Sequence, residues 1–332
     1  MQDALEQQLF QKAVIPHSLG KLERLCLQLA RRGYRHLSRP HLVVFAGDHG
    51  ITKEGVSHST KAITVQMATA FSHGQGACGL FCRELGVRLS VVDMGMDVPR
   101  TPPGIRNLSV ARGTRDFLYE GAMTPRQCGL AIARGRSVAR EVDADCLLVG
   151  EMGVGNSTSA AAMLARLLHL PPESVVSAGS GASGRDLVHK REVVASSLRR
   201  DPVEDPEGVL CAFGGFEIAG MVGAMLEAGE RHIPLVLDGM ITLAAALCAK
   251  GLGCDTSLWI AGHRSSALGC DQALAALGLE PVMEMEMCLG EGTGAVCAWP
   301  MVRLASRLWD LGSFSSLGVD DSTKTLQDLG IV

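Results

Sequence analysis

The sequence predicts an α/β protein with a doubly wound, mostly parallel sheet and helices on both of its faces. From about residue 40 onward, apolar runs of strand length alternate with longer amphipathic stretches rich in Ala, Leu and Arg. Runs such as Leu147-Leu148-Val149 are apolar at every position, which is typical of strands that a parallel sheet buries on both faces. Alternation of strands and helices favours such a sheet, with ligands bound beyond the carboxyl ends of its strands.

Each predicted strand is a short apolar run bounded by turn-forming residues. The predicted strands are 41–46, 89–94, 146–149, 175–178, 233–237 and 257–261. Between them lie helix-length segments, for example 127–141 and 159–169. Residues 18–32 are a further predicted helix, with Ser18 as its N-cap.

Both ends of the chain are predicted to be helical. We expect residues 1–35 and 301–332 to form a smaller helical lobe. Residues 36–300 are expected to form a large Rossmann-like α/β domain that carries the substrate loops.

Charge and composition argue against nucleic acid as a partner. The net charge is −4 and the pI is near 6.2, so no basic surface is expected. Aromatic residues make up only 4% of the chain, which leaves few platforms for stacking bases.

No membrane segment, metal site or secretion signal is expected. The apolar stretch 233–249 carries Asp238 near its start, so it is interpreted as a buried strand that leads into a helix. Eleven cysteines lack metal-ligand spacing and a pairing pattern, which favours reduced thiols and a cytoplasmic protein. Cys78 and Cys82 are interpreted as two core positions on one helix.

Two glycine-flanked glutamates are the most informative feature of the sequence. Glu291 lies between Gly290 and Gly292, and Glu151 lies between Gly150 and the Gly153-Val154-Gly155 segment. Glycines let the backbone approach a ligand closely, and burial raises the pKa of a carboxylate so that it can act as a general base. Glu291 and Glu151 are therefore predicted to form opposite walls of one active site.

Three glycine- and hydroxyl-rich clusters follow predicted strands. Residues 153–158 resemble a dinucleotide fingerprint only loosely; they can also be a helix N-terminus capped by Asn156, Ser157 or Thr158 that binds a single phosphate. Residues 178–184 followed by Lys190 are a candidate monophosphate site, although Lys190 can also be an exposed helical residue. Residues 262–266 supply two further hydroxyls.

A fourth polar cluster, Asp48-His49, follows the first predicted strand. The two side chains could be an acid/base pair or metal ligands. Adjacent residues at a strand end point in different directions, so support of the loop is the favoured interpretation.

Taken in order, these motifs resemble the nicotinate-nucleotide–dimethylbenzimidazole phosphoribosyltransferase family of the cobalamin lower-ligand pathway. The resemblance covers about residues 16 to 312. Its matching segments are Ser18-Leu19-Gly20-Lys21-Leu22-Glu23, Val44-Phe45-Ala46-Gly47-Asp48-His49-Gly50, Gly55-Val56-Ser57, Val65-Gln66-Met67, the Glu151 and glycine-loop segments, Gly214-Gly215-Phe216-Glu217-Ile218-Ala219, Leu237-Asp238-Gly239 and Gly290-Glu291-Gly292-Thr293-Gly294-Ala295.

The resemblance implies transfer of phosphoribose from nicotinate mononucleotide to 5,6-dimethylbenzimidazole with inversion at the anomeric carbon. The products would be α-ribazole 5′-phosphate and nicotinate, without a cofactor or a metal, in a homodimer. Glu291 would be the base and Glu151 the second wall, near the ribose or the acceptor. The implied acceptor-binding residues are Ser57, Gln66 and Met152. The implied nucleotide- and phosphate-binding residues are Gly153, Gly155, Asn156, Gly179, Ser180, Gly181, Lys190, Ser265, Ser266 and Gly290.

The sequence departs from the family pattern in two places. Thr60 stands near a position where the family usually carries proline, and Ala267-Leu268-Gly269-Cys270 replaces a run that usually contains Glu and His. The second departure bears on phosphate binding. Alternatives are the same chemistry with adenine, a phenol or another benzimidazole, a non-catalytic nucleotide-binding protein on this fold, or a dinucleotide-dependent oxidoreductase.

Overall fold

The computed structural model describes residues 4–179 and 184–319. Their contacts divide the chain into two compact units, one within Met1–Ser38 and Trp299–Val332 and the other Arg39–Ala298.

The larger unit contains a seven-stranded sheet in which every pair of neighbouring strands is parallel. Its strands are β1 (Pro40–Gly47), β2 (Arg88–Gly95), β3 (Arg106–Asn107), β4 (Cys146–Met152), β5 (Leu235–Leu237), β6 (Trp259–Arg264) and β7 (Pro281–Glu284). The strand order is β3-β2-β1-β4-β5-β6-β7. This arrangement confirms the predicted parallel sheet.

The strand order reverses between β1 and β4, which are neighbours in the sheet. In open parallel sheets such a reversal opens a crevice at the carboxyl ends of the strands. Phe45 of β1 is in register with Glu151 of β4, so Gly47, Asp48 and Glu151 all lie at this end. The reversal therefore places two of the polar motifs side by side.

One predicted strand is wrong. Residues 175–178 contain the fully buried Val175 and Val176, but both backbone N–H groups bond to the carbonyl of Pro172 at the end of a short 3-10 helix. The two valines are buried but pair with no strand among the described residues, so the apolar run predicted burial correctly and a strand wrongly. The short edge strands β3 and β7 were not predicted, because edge strands lack a continuous apolar run.

Helices connect the strands of the larger unit. They are α3 (Ala62–Ser72), α4 (Gly76–Glu84), α5 (Pro125–Glu141), α6 (Asn156–Leu167), α7 (Gly184–Arg200), α8 (Pro206–Phe213), α9 (Phe216–Glu230), α10 (Met240–Gly251), α11 (Cys270–Leu277) and, running beyond this unit, α12 (Thr293–Arg307). The predicted helices 127–141 and 159–169 correspond to α5 and α6. Cys78 and Cys82 are buried on α4, which confirms that they are core positions.

A buried hydrogen bond between side chains ties the loop after β1 to α9. His49 and Glu217 have no exposed surface, and His49 Nε2 lies 2.7 Å from Glu217 Oε1. The other ring nitrogen of His49 lies 2.8 Å from the Ser159 hydroxyl. A Cβ at Gly215 would come within 2.4 Å of both side chains, so glycine there makes room for the pair. The contact between His49 and Glu217 therefore gives the Gly-Asp-His and Gly-Gly-Phe-Glu motifs a structural role.

The smaller unit contains α1 (Ala4–Phe10) and α2 (Lys21–Ala30). Ser18 is not the N-cap of the second helix, which begins three residues later. Instead the Glu23 carboxylate accepts the N–H groups of His17 and Leu19, at 2.9 and 3.0 Å, and so fixes the turn before α2. Across residues 4–179 and 184–319, no helix has the length and apolar character needed to cross a membrane.

Candidate active site

A cavity of about 340 Å³ lies at the carboxyl ends of β4, β5 and β6. One part of its lining is polar and the other apolar. The polar lining residues are Glu151, Ser157, Ser177, Asp238, Thr242, Ser265 and Ser266. The apolar part includes Val176, Leu187, Met240, Ile241, Leu268 and Leu289. A cavity of this size and mixed character suits a small ligand with both polar and apolar parts.

Glu151 stands at the end of β4 and is only 5% exposed. Its Oε1 accepts the N–H of Glu291 at 3.4 Å, and its Oε2 accepts a close hydrogen bond from the side-chain amide of Asn156. Burial, followed by the charges of Asp238 and Glu217, raises the pKa of Glu151 to about 8. Glu151 therefore presents to the cavity a carboxyl group that retains a proton readily.

Glu291 lies in a loop whose backbone is left-handed at three consecutive residues. The φ angles of Gly290, Glu291 and Gly292 are 83°, 63° and 78°. A Cβ at Gly290 would lie 2.6 Å from Glu151 Oε1, so only glycine allows this approach. The two glutamates predicted to share a site are therefore brought into contact.

The Glu291 side chain is 8% exposed, and its Oε2 has no hydrogen-bond partner in the described part of the chain. Burial, followed by the charge of Asp238, raises the pKa of Glu291 to about 7. A buried carboxylate oxygen without a donor can accept a proton from a bound molecule, and a pKa near 7 suits a general base.

Glu291 does not line the 340 Å³ cavity, whereas its neighbours Leu289 and Gly290 do. The pKa of Cys78 on α4 is raised, first by the Cys82 thiol, then by burial and then by charges that include that of Glu291. The negative charge of Glu291 therefore reaches the Cys78 thiol of α4. Glu151 and Gly290 stand at the boundary between the cavity and Glu291.

Asp238 follows β5 and anchors the Glu291 loop. Its Oδ2 accepts the N–H of Gly292 at 3.0 Å, and its Oδ1 accepts those of Gly294 and Ala295 at 2.8 and 3.2 Å. The sequence motifs alone do not indicate this role for Asp238. Its position after a strand, like that of the other polar motifs, was the available signal.

Lys190 is buried, not an exposed helical residue, with 1% of its surface accessible. Its Nζ donates to Ser157 Oγ at 3.0 Å and to the carbonyl of Ser177 at 3.1 Å, and both serines line the cavity. Burial lowers the pKa of Lys190 to about 8. One ammonium group is thus held at the cavity wall beside hydroxyl groups, the combination that a phosphate requires.

The remaining predicted nucleotide-binding residues divide into three groups. Gly179, Ser265, Ser266 and Gly290 line the cavity. Gly153, Gly155 and Asn156 are buried at the start of α6 and do not line it. Ser180 and Gly181 lie outside the described residues.

No side chain caps α6, contrary to the alternative that Asn156, Ser157 or Thr158 would do so. The N-cap is Gly155, with φ of 98°. The Asn156 amide bonds to Glu151, and the Ser157 hydroxyl accepts from Lys190. The polar side chains of this motif therefore serve the site and not the helix end.

The three predicted acceptor-binding residues lie elsewhere on the larger unit. Ser57 is half-buried in the loop before α3, Gln66 is exposed on α3, and Met152 is the half-buried last residue of β4. None of them lines the 340 Å³ cavity. Their role in binding an acceptor stays a prediction.

No group of His, Cys, Asp and Glu side chains among the described residues has the arrangement of a metal site. All eleven cysteines are free thiols, and Cys288, at the edge of the cavity, is exposed.

Comparison with known proteins identifies the family. A family model described as phosphoribosyltransferase matches residues 1–319. The chain is 38% identical over 323 residues to nicotinate-nucleotide–dimethylbenzimidazole phosphoribosyltransferase of Ralstonia nicotianae, covering 94% of this chain and 91% of that protein. It is 40% identical over 302 residues to the Ectopseudomonas mendocina enzyme of the same name, covering 88% and 86%.

A solved structure agrees with these relatives. The crystal structure of the Thermus thermophilus enzyme of that name has a TM-score of 0.89 and 37% identity, and covers 96% of this chain and 98% of that one. Similarity of this extent spans nearly the whole chain in both sequence and structure. The chain therefore belongs to the nicotinate-nucleotide–dimethylbenzimidazole phosphoribosyltransferase family.

Proposed function

We propose that this chain transfers phosphoribose from nicotinate mononucleotide to 5,6-dimethylbenzimidazole, giving α-ribazole 5′-phosphate and nicotinate. The observation that carries the proposal is the contact between Glu151, which lines the cavity, and the loop that holds the buried Glu291. Glu151 lines the cavity that would hold the donor. Glu291 Oε2 has no hydrogen-bond partner among the described residues, so it can accept a proton.

The cavity suits the donor nucleotide. Lys190, Ser265 and Ser266 would bind the phosphate through one charge and two hydroxyl groups. The Glu151 carboxyl group and the Asp238 carboxylate would lie near the pyridinium ring and the ribose, because both groups line the same cavity. The negative charge of Asp238 favours a cationic ring and stabilises the oxocarbenium character that the ribose develops as the bond to nitrogen breaks.

The acceptor supplies the proton that the reaction releases. One ring nitrogen of the benzimidazole attacks the anomeric carbon from the face opposite to the leaving pyridine, which inverts the configuration there. The bond from that carbon to the pyridinium nitrogen breaks, and its electron pair leaves with nicotinate, so the leaving group needs no acid. The benzimidazole N–H proton passes to Glu291, while Ser57, Gln66 and Met152 hold the acceptor ring.

The direct test incubates the purified protein with nicotinate mononucleotide and 5,6-dimethylbenzimidazole and separates the products by chromatography. We expect α-ribazole 5′-phosphate and nicotinate in equal amounts. Product only with adenine, a phenol or another benzimidazole would keep the chemistry and change the acceptor. Nucleotide binding without any product would favour a non-catalytic binding protein and overturn the proposal.

The pH dependence of kcat/KM is expected to be bell-shaped, with its maximum between the pKa values of Glu291 and Lys190, about 7 and about 8. Glu291 must lose its proton to act as a base, so the rate rises as pH increases toward about 7. Lys190 must keep its proton to bind phosphate, so the rate falls above about 8. Each limb should approach roughly a tenfold change per pH unit. A rate that is flat from pH 6 to 9 would contradict both assignments.

Lys190→Met is expected to raise KM for nicotinate mononucleotide by roughly 10- to 100-fold, because a charge-assisted hydrogen bond to phosphate contributes about 1.5–3 kcal/mol. The high-pH limb of the profile should disappear as well. Folding should be preserved, since methionine fills the space of a buried cation without its desolvation cost.

The matched control for that variant is Lys250→Met. Lys250 is exposed on α10 and donates to the carbonyl of Ala276, so its loss should leave KM unchanged. Equal KM values for the two variants would remove Lys190 from the phosphate site.

The remaining expectations concern the whole protein. We propose a homodimer located in the cytoplasm, with residues 36–300 as the substrate-binding domain and residues 1–35 with 301–332 as the smaller lobe. The family resemblance supports the dimer, and the unpaired thiols agree with a reducing compartment. Light scattering after size-exclusion chromatography, with a monomer mass of 35.0 kDa, tests the dimer.

A further inference from the structure

The backbone around Glu291 forms a concave arrangement of N–H groups. Left-handed residues in succession turn neighbouring amides toward one point, and the first turn of α12 adds its own free N–H groups there. Such a concavity normally binds an anion. Here the anion is part of the protein, because the Asp238 carboxylate accepts from Gly292, Gly294 and Ala295.

We propose that Asp238 is a positioning residue for Glu291: its carboxylate fills this concavity and fixes the loop in the conformation that aims Glu291 at the acceptor. This inference rests on the proposed function. The left-handed conformation is unfavourable for a residue with a side chain, so Glu291 needs bonds on its C-terminal side to hold it there. Three N–H groups on one carboxylate provide them.

Among the described residues, Asp238 has no side-chain partner that replaces these three bonds. Asp238 is 1% exposed, and the imidazole of His263 of β6 approaches it, with Nε2 3.5 Å from Oδ1. This contact is not a hydrogen bond, because neither ring nitrogen of His263 has a hydrogen-bond partner in the described part of the chain. The backbone N–H groups are therefore what stabilises the buried Asp238 carboxylate.

The charge of Asp238 also reaches Glu291. Burial is the main cause that raises the pKa of Glu291, and Asp238 is the next. The other titratable groups that interact with Glu291 or Asp238 are Glu151 on β4, Cys78 on α4, Cys270 on α11, Cys297 on α12 and His263 on β6. Asp238 thus acts on Glu291 both through the loop and through its charge.

Asp238→Asn separates this role from a merely structural one. The amide keeps one oxygen for Gly294 and Ala295, but it presents N–H to N–H at Gly292 and carries no charge. We expect kcat to fall by about tenfold or more, since a misplaced base loses general-base catalysis. With the negative charge removed, the low-pH limb of kcat/KM should also move to lower pH, by roughly half a unit to one unit.

Asp238→Glu provides the comparison with the charge retained. The longer side chain cannot make the same three bonds, so kcat should fall while the low-pH limb stays near its wild-type position. The matched control is Asp93→Asn, a buried aspartate of β2 that accepts from the N–H of Met96 and the hydroxyl of Thr101. That variant should lower thermal stability and leave the limb unmoved.

A measurement without turnover completes the test. The protein is labelled with carbon-13 at its glutamate carboxyl groups, and NMR follows the titration of the Glu291 signal. That signal is assigned as the one that is missing in Glu291→Gln. In Asp238→Asn that titration should move to lower pH, whereas in Asp93→Asn it should not. An active wild type with an Asp238→Asn variant of unchanged kcat and unchanged titration would overturn this inference alone. An inactive wild type would instead overturn the proposed function.

Discussion

Glu291→Gln is expected to lower kcat by roughly 10²- to 10⁴-fold, the usual contribution of a general base. Glutamine fills the same volume and keeps an oxygen acceptor, but it cannot take the proton from the benzimidazole nitrogen. Affinity for nicotinate mononucleotide should change little, because the Glu291 side chain does not line the 340 Å³ cavity. The measurements are kcat by product chromatography and the donor Kd by calorimetry.

The control is Glu286→Gln, an exposed glutamate of the same loop region with left-handed backbone. Its activity should equal that of the wild type, which separates the chemistry of Glu291 from any effect of removing a carboxylate nearby. Wild-type kcat in Glu291→Gln would reassign the base, with Glu151 the next carboxyl group in reach.

His49→Ala is expected to lower the free energy of unfolding by about 1–3 kcal/mol, the cost of leaving a buried polar group without its hydrogen-bond partner. The substitution leaves the Glu217 carboxylate in a fully buried site without its partner, since Oε2 already has no hydrogen bond among the described residues. It also removes the bond between the His49 ring and the Ser159 hydroxyl. Urea unfolding followed by circular dichroism measures the loss.

Two comparisons interpret that result. His73→Ala removes an exposed imidazole from the end of α3 and should change stability by less than about 0.5 kcal/mol. The double variant His49→Ala/Glu217→Ala should lose less than the sum of the two single variants, because each single change leaves the other partner unsatisfied. Additive losses would show that the two side chains do not act as a pair.

The fold was predictable where the apolar pattern was continuous. The fully buried runs of β1 and β4 directly indicated parallel strands, and the helices α5 and α6 began within a few residues of their predicted positions. The prediction failed at 175–178, where two buried valines belong to an irregular segment at the cavity wall. Apolar character reports burial, and only hydrogen-bond partners far along the chain decide whether a strand forms.

The candidate site was predictable only as a set of loops. Position after a strand indicated that Glu151, Ser265 and Ser266 would meet, and all three line the cavity. The burial of Lys190 was not predictable, because its helical segment is amphipathic in pattern and its partners Ser157 and Ser177 come from other elements. The anchoring role of Asp238 depends on backbone N–H groups more than fifty residues away, which no local pattern encodes.

The acidic wall of the cavity also bears on the fate of the leaving group. Before transfer, the pyridinium ring of the donor is a cation, and in the proposed mechanism the Asp238 carboxylate attracts it. After the bond breaks, the ring is neutral and its own carboxylate makes nicotinate an anion, so Asp238 would now repel it. The charge that captures the donor would thus also expel nicotinate and oppose its return before the nucleotide product is released.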